Sequence, residues 1–101
     1  MSNVQLIYSP TKSTMEMLKA RMPKRCRDLL EGDSNLNLSA IGLVQGKVID
    51  MIAAADLADK VAPIFVSELY GLCPQHISMI AIFGDTEAVS SALKAIEEHF
   101  P

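Results

Sequence analysis

Apolar residues in this chain follow two rhythms, short continuous or alternating runs in some stretches and a three-and-four spacing in others. Val4-Gln5-Leu6-Ile7-Tyr8 is a run of strand formers stopped by Ser9-Pro10. Ser13-Thr14-Met15-Glu16 has the capping-box spacing, in which a hydroxyl and a carboxylate satisfy free backbone donors reciprocally. It predicts a short helix to about Arg21 with Met15, Leu18 and Met22 on one side. Pro23 has no amide hydrogen to lose in a first helical turn, so a second helix is expected there, carrying Cys26, Leu29 and Leu30 and stopping at Gly32. Residues 33–37 read as a linker.

Beyond the linker the pattern is more regular. A mostly apolar strand is predicted over residues 39–45, ending at Gly46, and a helix over 47–62 with Val48, Met51, Ile52, Ala55 and Ala58 at helical spacing. Ala53-Ala54-Ala55 adds little bulk, which lets a neighbour pack close, and Asp56 stands four residues before Lys60, acid first. Pro63 ends that helix. Strands are predicted over 64–70 and 77–83, joined by a turn at 71–75. Asp85 is the expected N-cap of a last helix with a stripe of Val89, Ala92, Leu93, Ile96 and Phe100. The order β–α–α–β–α–β–β–α predicts an α+β sandwich with an antiparallel sheet and helices on one of its faces.

Composition agrees with a folded domain. Of 101 residues, 50% are apolar and 21% charged, which excludes a disordered tail. No apolar run nears the ~18 residues of a membrane span, and Met1-Ser2-Asn3-Val4 lacks the basic-then-apolar layout of a secretory signal, so a cytoplasmic, membrane-free protein is expected. The net charge of −3 is uneven: residues 1–35 hold six basic and four acidic side chains, the remainder three and eight. The basic cluster around Lys24, Arg25 and Arg27 has no interleaved aromatics, so it reads as a solvated helix face rather than a nucleic-acid site.

Catalytic constellations are nearly absent: there is no phosphate-binding glycine loop, HExxH or CxxC, so no enzyme is expected. His99 falls at a helix end, where the backbone dipole favours a cation, and His76 opens a strand. Asp50, Asp56 and Asp59 read as a charged helix face. Cys26, among cations, is expected to be buried or inert. Cys73 differs. Gly71 permits backbone shapes that other residues resist, and Pro74 restricts Cys73 to extended conformations, so the thiol is presented stiffly at a loop tip between two strands. Cys-Pro also closes the cysteine run of bacterial ferredoxins. A cluster takes up to four thiolates, so any cluster here has to gather Cys73 from several copies of the chain around a symmetry axis.

Ala40-Ile41-Gly42-Leu43-Val44, followed by Met51-Ile52-Ala53-Ala54-Ala55-Asp56 and Lys60, resembles the first strand and helix of bacterial microcompartment shell proteins. Gly84-Asp85-Thr86-Glu87-Ala88-Val89 resembles the start of the second helix of the same domain. The strand that closes the ordinary domain stands at the front, at residues 3–8, so the chain is similar to the circularly permuted shell proteins, well over 39–99 and weakly over 9–38. The resemblance implies a ferredoxin-like BMC-domain sandwich spanning residues 1–101, with 1–38 as the permuted strand and helices and 39–101 as the β-α-β-β-α core. It implies cytoplasmic homohexamers that tile with other shell proteins into a microcompartment shell, with loop 71–75 lining a central pore and Lys60 at the hexamer edge.

That loop departs from the small glycine–serine loop of many relatives. Gly71-Leu72-Cys73-Pro74-Gln75 is similar instead to the G-x-C-P-Q loop of the iron–sulfur-binding shell subunit of glycyl-radical propanediol microcompartments. The resemblance makes Cys73 a metal ligand for a [4Fe-4S] cluster shared between subunits, with Gly71, Leu72, Pro74 and Gln75 shaping the loop and a redox partner protein exchanging electrons. Two alternatives stand beside it: a plain metabolite-pore shell protein with Cys73 idle, and a small α+β regulatory protein binding through the patch at 24–27.

Overall fold

The structure, a computed structural model, describes residues 3–71 and 77–100. Its elements are β1 (Asn3–Tyr8), α1 (Lys12–Arg21), α2 (Lys24–Gly32), β2 (Ala40–Lys47), α3 (Val48–Val61), β3 (Phe65–Leu69), β4 (Ile77–Gly84) and α4 (Thr86–His99). The element order is the one the hydrophobic pattern predicts. Caps set the boundaries. Asp85 begins α4 as expected, its Oδ1 accepting from the Ala88 amide at 2.7 Å. For α1 the capping box does not form: Thr11 is the N-cap, accepting from the Thr14 amide at 3.2 Å, and Ser13 lies within the helix. Pro23 is the N-cap of α2 rather than its first helical residue, and its carbonyl accepts from the Arg27 amide at 2.9 Å.

The strands form one antiparallel sheet in the order β1-β2-β4-β3. β2 and β4 are central, in register from Ala40↔Gly84 to Lys47↔Ile77. That pairing carries β2 two residues past its predicted end. Their alternation sends Ala40, Val44, Ile80 and Ile82 to one face of the sheet and Ile41, Ala81 and Phe83 to the other, and all seven are buried. On the first face α3 and α4 supply Met51, Ala54, Ala58, Val89, Ala92, Leu93 and Ile96. On the second, α1, its C-cap Met22 and α2 supply Leu18, Met22, Cys26 and Leu30. Helices therefore cover both faces, not one. Strands apolar at nearly every position leave no face that water can wet, so each face requires its own cover.

Begun at β2, the elements read β2-α3-β3-β4-α4-β1, the β-α-β-β-α-β order of a ferredoxin-like domain with its closing strand moved to the front. The pair α1–α2 is the link that carries the chain from the displaced strand back to β2.

α4 crosses β2 at Gly42, where a Cβ would stand 2.9 Å from Leu93 Cδ2. The absent side chain lets helix and sheet close. Gly42→Val, which forces a branched side chain into this buried contact, is expected to cost about 1–3 kcal/mol, seen as a lower midpoint in thermal unfolding followed by circular dichroism. Gly42→Ala, whose one methyl meets only the flexible end of Leu93, should cost less.

Candidate functional site

The β3–β4 ladder closes at Leu69↔Met79, and the connection beyond it carries the Gly-Leu-Cys-Pro-Gln segment. Leu72, Cys73, Pro74, Gln75 and His76 lie outside the described residues, whereas Gly71 is exposed at the end of β3. The structure thus defines the two strands that deliver the segment and the elements gathered at that end of the sheet. β2 ends there at Lys47, opposite Ile77, and α3 begins at Val48.

α1 also ends there. The Tyr70 amide donates to the Arg21 carbonyl at 2.7 Å, and Arg21 Nη1 donates back to the Tyr70 carbonyl at 3.2 Å. In the first turn of α2, Arg25 Nη2 lies 3.6 Å from Glu68 Oε1.

Cys26 is 5% exposed, packed with Leu18, Met22, Leu30, Ile41, Leu69, Ala81 and Phe83. Its thiol is committed to the core, as expected for an inert cysteine. The neighbouring cations are engaged elsewhere: Lys24 pairs with Asp28 at 2.7 Å, Arg25 with Glu68, and Arg27 donates to the Lys19 carbonyl at 3.5 Å. Among the described residues no three His, Cys, Asp or Glu side chains converge on a metal-sized site. A cluster at the loop would therefore draw one thiolate from each chain. The donor set fits such a group only when several chains meet.

Lys60 stands in the last turn of α3 with its side chain 70% exposed and its Nζ 2.6 Å from Asp56 Oδ2. The hydrogen bond to Asp56, and then the charge of that carboxylate, hold its pKa above the ordinary 10.5. A raised folded-state pKa means that this pairing is complete below the unfolded value and is lost only as pH climbs through the folded one. At neutral pH Lys60 is an exposed cation. His99 closes α4 with its ring against Phe100, centroids 4.7 Å apart.

α3 departs from the predicted stripe. Met51, Ala54 and Ala58 face the core, while Ile49 and Ile52 are 74% and 69% exposed and Val48 is exposed beside them. With Lys47 and Ile77 these three line an apolar hollow at the loop end of the sheet. A neighbouring groove of about 340 Å³ runs between α3 and the outer strand β3, floored by Met51, Val66 and Ile80 and rimmed by Arg25, Asp59 and Glu68. Helical spacing alone missed this surface. The signal was present in the sequence: α3 holds more apolar residues than one stripe needs. Val48, Ile49 and Ile52 lie beside the face of Met51, Ala54 and Ala58, with Asp56, Asp59 and Lys60 on the remainder.

The fold and much of the sequence have counterparts among solved structures. The ligand-free GrpU microcompartment shell protein from Pectobacterium wasabiae is 40% identical and superposes with a TM-score of 0.74 over 94% of this chain and 99% of its own. The ligand-free GrpU microcompartment shell protein from Clostridiales bacterium 1_7_47FAA is 29% identical, with a TM-score of 0.70 over 99% of this chain and 96% of its own. The fused permuted hexameric shell protein MSM0275 from the RMM microcompartment, 15% identical, shares the fold at a TM-score of 0.56, matching 96% of this chain and 44% of its own. No protein-family model and no curated protein matches the chain.

Proposed function

We propose, from the premise that this chain belongs to the bacterial microcompartment shell proteins, that it forms cyclic hexameric tiles whose central pore holds an iron–sulfur cluster through Cys73 of several subunits. The observation that carries the reading is the segment Gly71-Leu72-Cys73-Pro74-Gln75, with its one thiol per chain, in the sequence that connects two antiparallel strands. Two further features support a ring. Val48, Ile49, Ile52 and Ile77 form an apolar surface at that same end, and exposed apolar patches of this kind mark interfaces. Cys26 cannot contribute from the core, so only assembly multiplies the thiolates.

In this reading the protein is a structural shell component and not an enzyme. Cys73 binds as thiolate, and Gly71, Leu72, Pro74 and Gln75 set its direction. The bound cluster supplies one-electron chemistry, by which electrons, or the cluster itself, pass across the shell to a redox partner. Protein purified without oxygen, examined by visible absorption and electron paramagnetic resonance, is the test. A brown protein with cluster signals and iron in proportion to rings supports the proposal. A colourless hexamer that takes up no iron and sulfide is a plain metabolite-pore tile, and a chain that stays monomeric or dimeric is a regulatory protein.

Lys60 serves in this proposal as a contact between neighbouring hexamers. Lys60→Ala should leave thermal unfolding and hexamer formation at neutral pH unchanged while reducing the sheets seen by negative-stain electron microscopy. Sheets formed as readily as in the parent protein would remove Lys60 from the hexamer edge.

A further inference from the structure

We infer that Arg21 is a positioning residue for the loop that carries Cys73, acting through Tyr70. β3 is an outer strand, so one of its edges has no strand partner. Tyr70 lies one residue past the last ladder pair, where the backbone leaves the sheet and register no longer holds it. At that residue the end of α1 takes over. The Arg21 carbonyl, one of the last in its helix and free of an intrahelical partner, accepts from the Tyr70 amide at 2.7 Å. The guanidinium of the same residue donates to the Tyr70 carbonyl at 3.2 Å. Both backbone polar groups of Tyr70 are thereby held by one residue 49 positions away in sequence.

The tie is braced on both sides. Met22 follows Arg21 and Leu69 precedes Tyr70, and both side chains are buried in the same apolar cluster. Arg25 reaches Glu68 at 3.6 Å. The turn between α1 and α2 thus grips three consecutive residues of β3 and its exit, Glu68, Leu69 and Tyr70. Tyr70 is three residues before Cys73. α1–α2, the segment that joins the displaced strand to the β-α-β-β-α-β order, therefore splints the path into the loop. The consequence for a metal group rests on the pore-cluster reading; the mechanical role does not.

The experiment uses cluster-free hexamers of the parent protein, Arg21→Ala and Arg21→Lys. Amide exchange at Tyr70 and alkylation of Cys73 by iodoacetamide are both followed by peptide mass spectrometry, which separates Cys73 from buried Cys26. Arg21→Ala keeps the carbonyl that accepts from the Tyr70 amide and removes the exposed guanidinium donor to the Tyr70 carbonyl. With one end of the tie gone, Tyr70 exchange should accelerate about fivefold, the scale of one ordinary net hydrogen bond. Cys73 alkylation should change severalfold at an unaltered thermal midpoint, and Arg21→Lys, which keeps one cationic donor, should recover part of both effects. Exchange and alkylation equal to the parent in Arg21→Ala would overturn the inference, as would a change that Arg21→Lys fails to relieve. Reconstitution with iron and sulfide then separates the two ideas. Parent protein that takes up no cluster defeats the pore-cluster reading alone, since the exchange and alkylation rates still decide the role of Arg21.

Discussion

Cys73→Ser is expected to abolish the broad visible absorption that the proposed cluster would give at about 400 nm and to leave the proposed hexamer intact. The size of the effect follows from the count of donors. Each chain offers one thiol at the loop, and the other, Cys26, is enclosed by Leu18, Met22, Leu30 and the sheet. No cysteine elsewhere in the chain can replace the lost ligand. A hydroxyl is a poor substitute for thiolate toward iron, so loss should be complete rather than graded, and iron bound per ring should fall to background. Cys26→Ser, by contrast, should keep the colour, because that sulfur is a packing group. In the proposed ring, six equivalent thiols around one axis could not serve the four corners of a cubane equally. Binding in the parent protein is therefore expected to break the ring's symmetry, through three alternate thiolates or an off-axis set of up to four. Absorption retained in Cys73→Ser would reject the assignment outright.

If the proposed hexamer forms, replacing Ile49 and Ile52 together by aspartate should convert it to monomers without unfolding them. Both side chains are largely exposed in the isolated subunit, so its core loses nothing. If a neighbour covers them in the ring, each contributes about 1.5–3 kcal/mol of burial, and a carboxylate in that place also has to be desolvated without a partner. The loss at each interface is then at least about 3–6 kcal/mol, or about two to four orders of magnitude in association. Six such interfaces close a ring, so disassembly should be visible at micromolar protein by size-exclusion chromatography with light scattering, at an unchanged far-ultraviolet spectrum. A double mutant that remains hexameric would place the ring contacts elsewhere on the subunit.

These two results bear on different parts of the sequence, which were legible to different degrees. Cys73 stood out because Gly71 widens and Pro74 narrows what the backbone around it can adopt, and such effects are local. Ile49 and Ile52 did not, because a stripe at helical spacing is ordinarily taken as the core face. In α3 apolar residues spread well beyond one stripe, and their spacing allows more than one face. Tertiary packing selected Met51, Ala54 and Ala58 for the core, the two alanines being small enough for α4 to approach closely. The cap of α1 shows the same thing at smaller scale. Ser13 and Glu16 satisfy the spacing of a capping box, yet Thr11 supplies the cap, since either hydroxyl is chemically adequate and the chain's exit from β1 selects between them.

The order of strands and helices, the Asp85 cap and the stripe of α4 were determined by the sequence itself, because each depends on residues within a few positions of one another. The division of helices between two sheet faces, the outward face of α3 and the hold of Arg21 on Tyr70 were decided only by the tertiary structure. They join groups far apart in the chain, and local rhythm carries no record of which distant surfaces will meet.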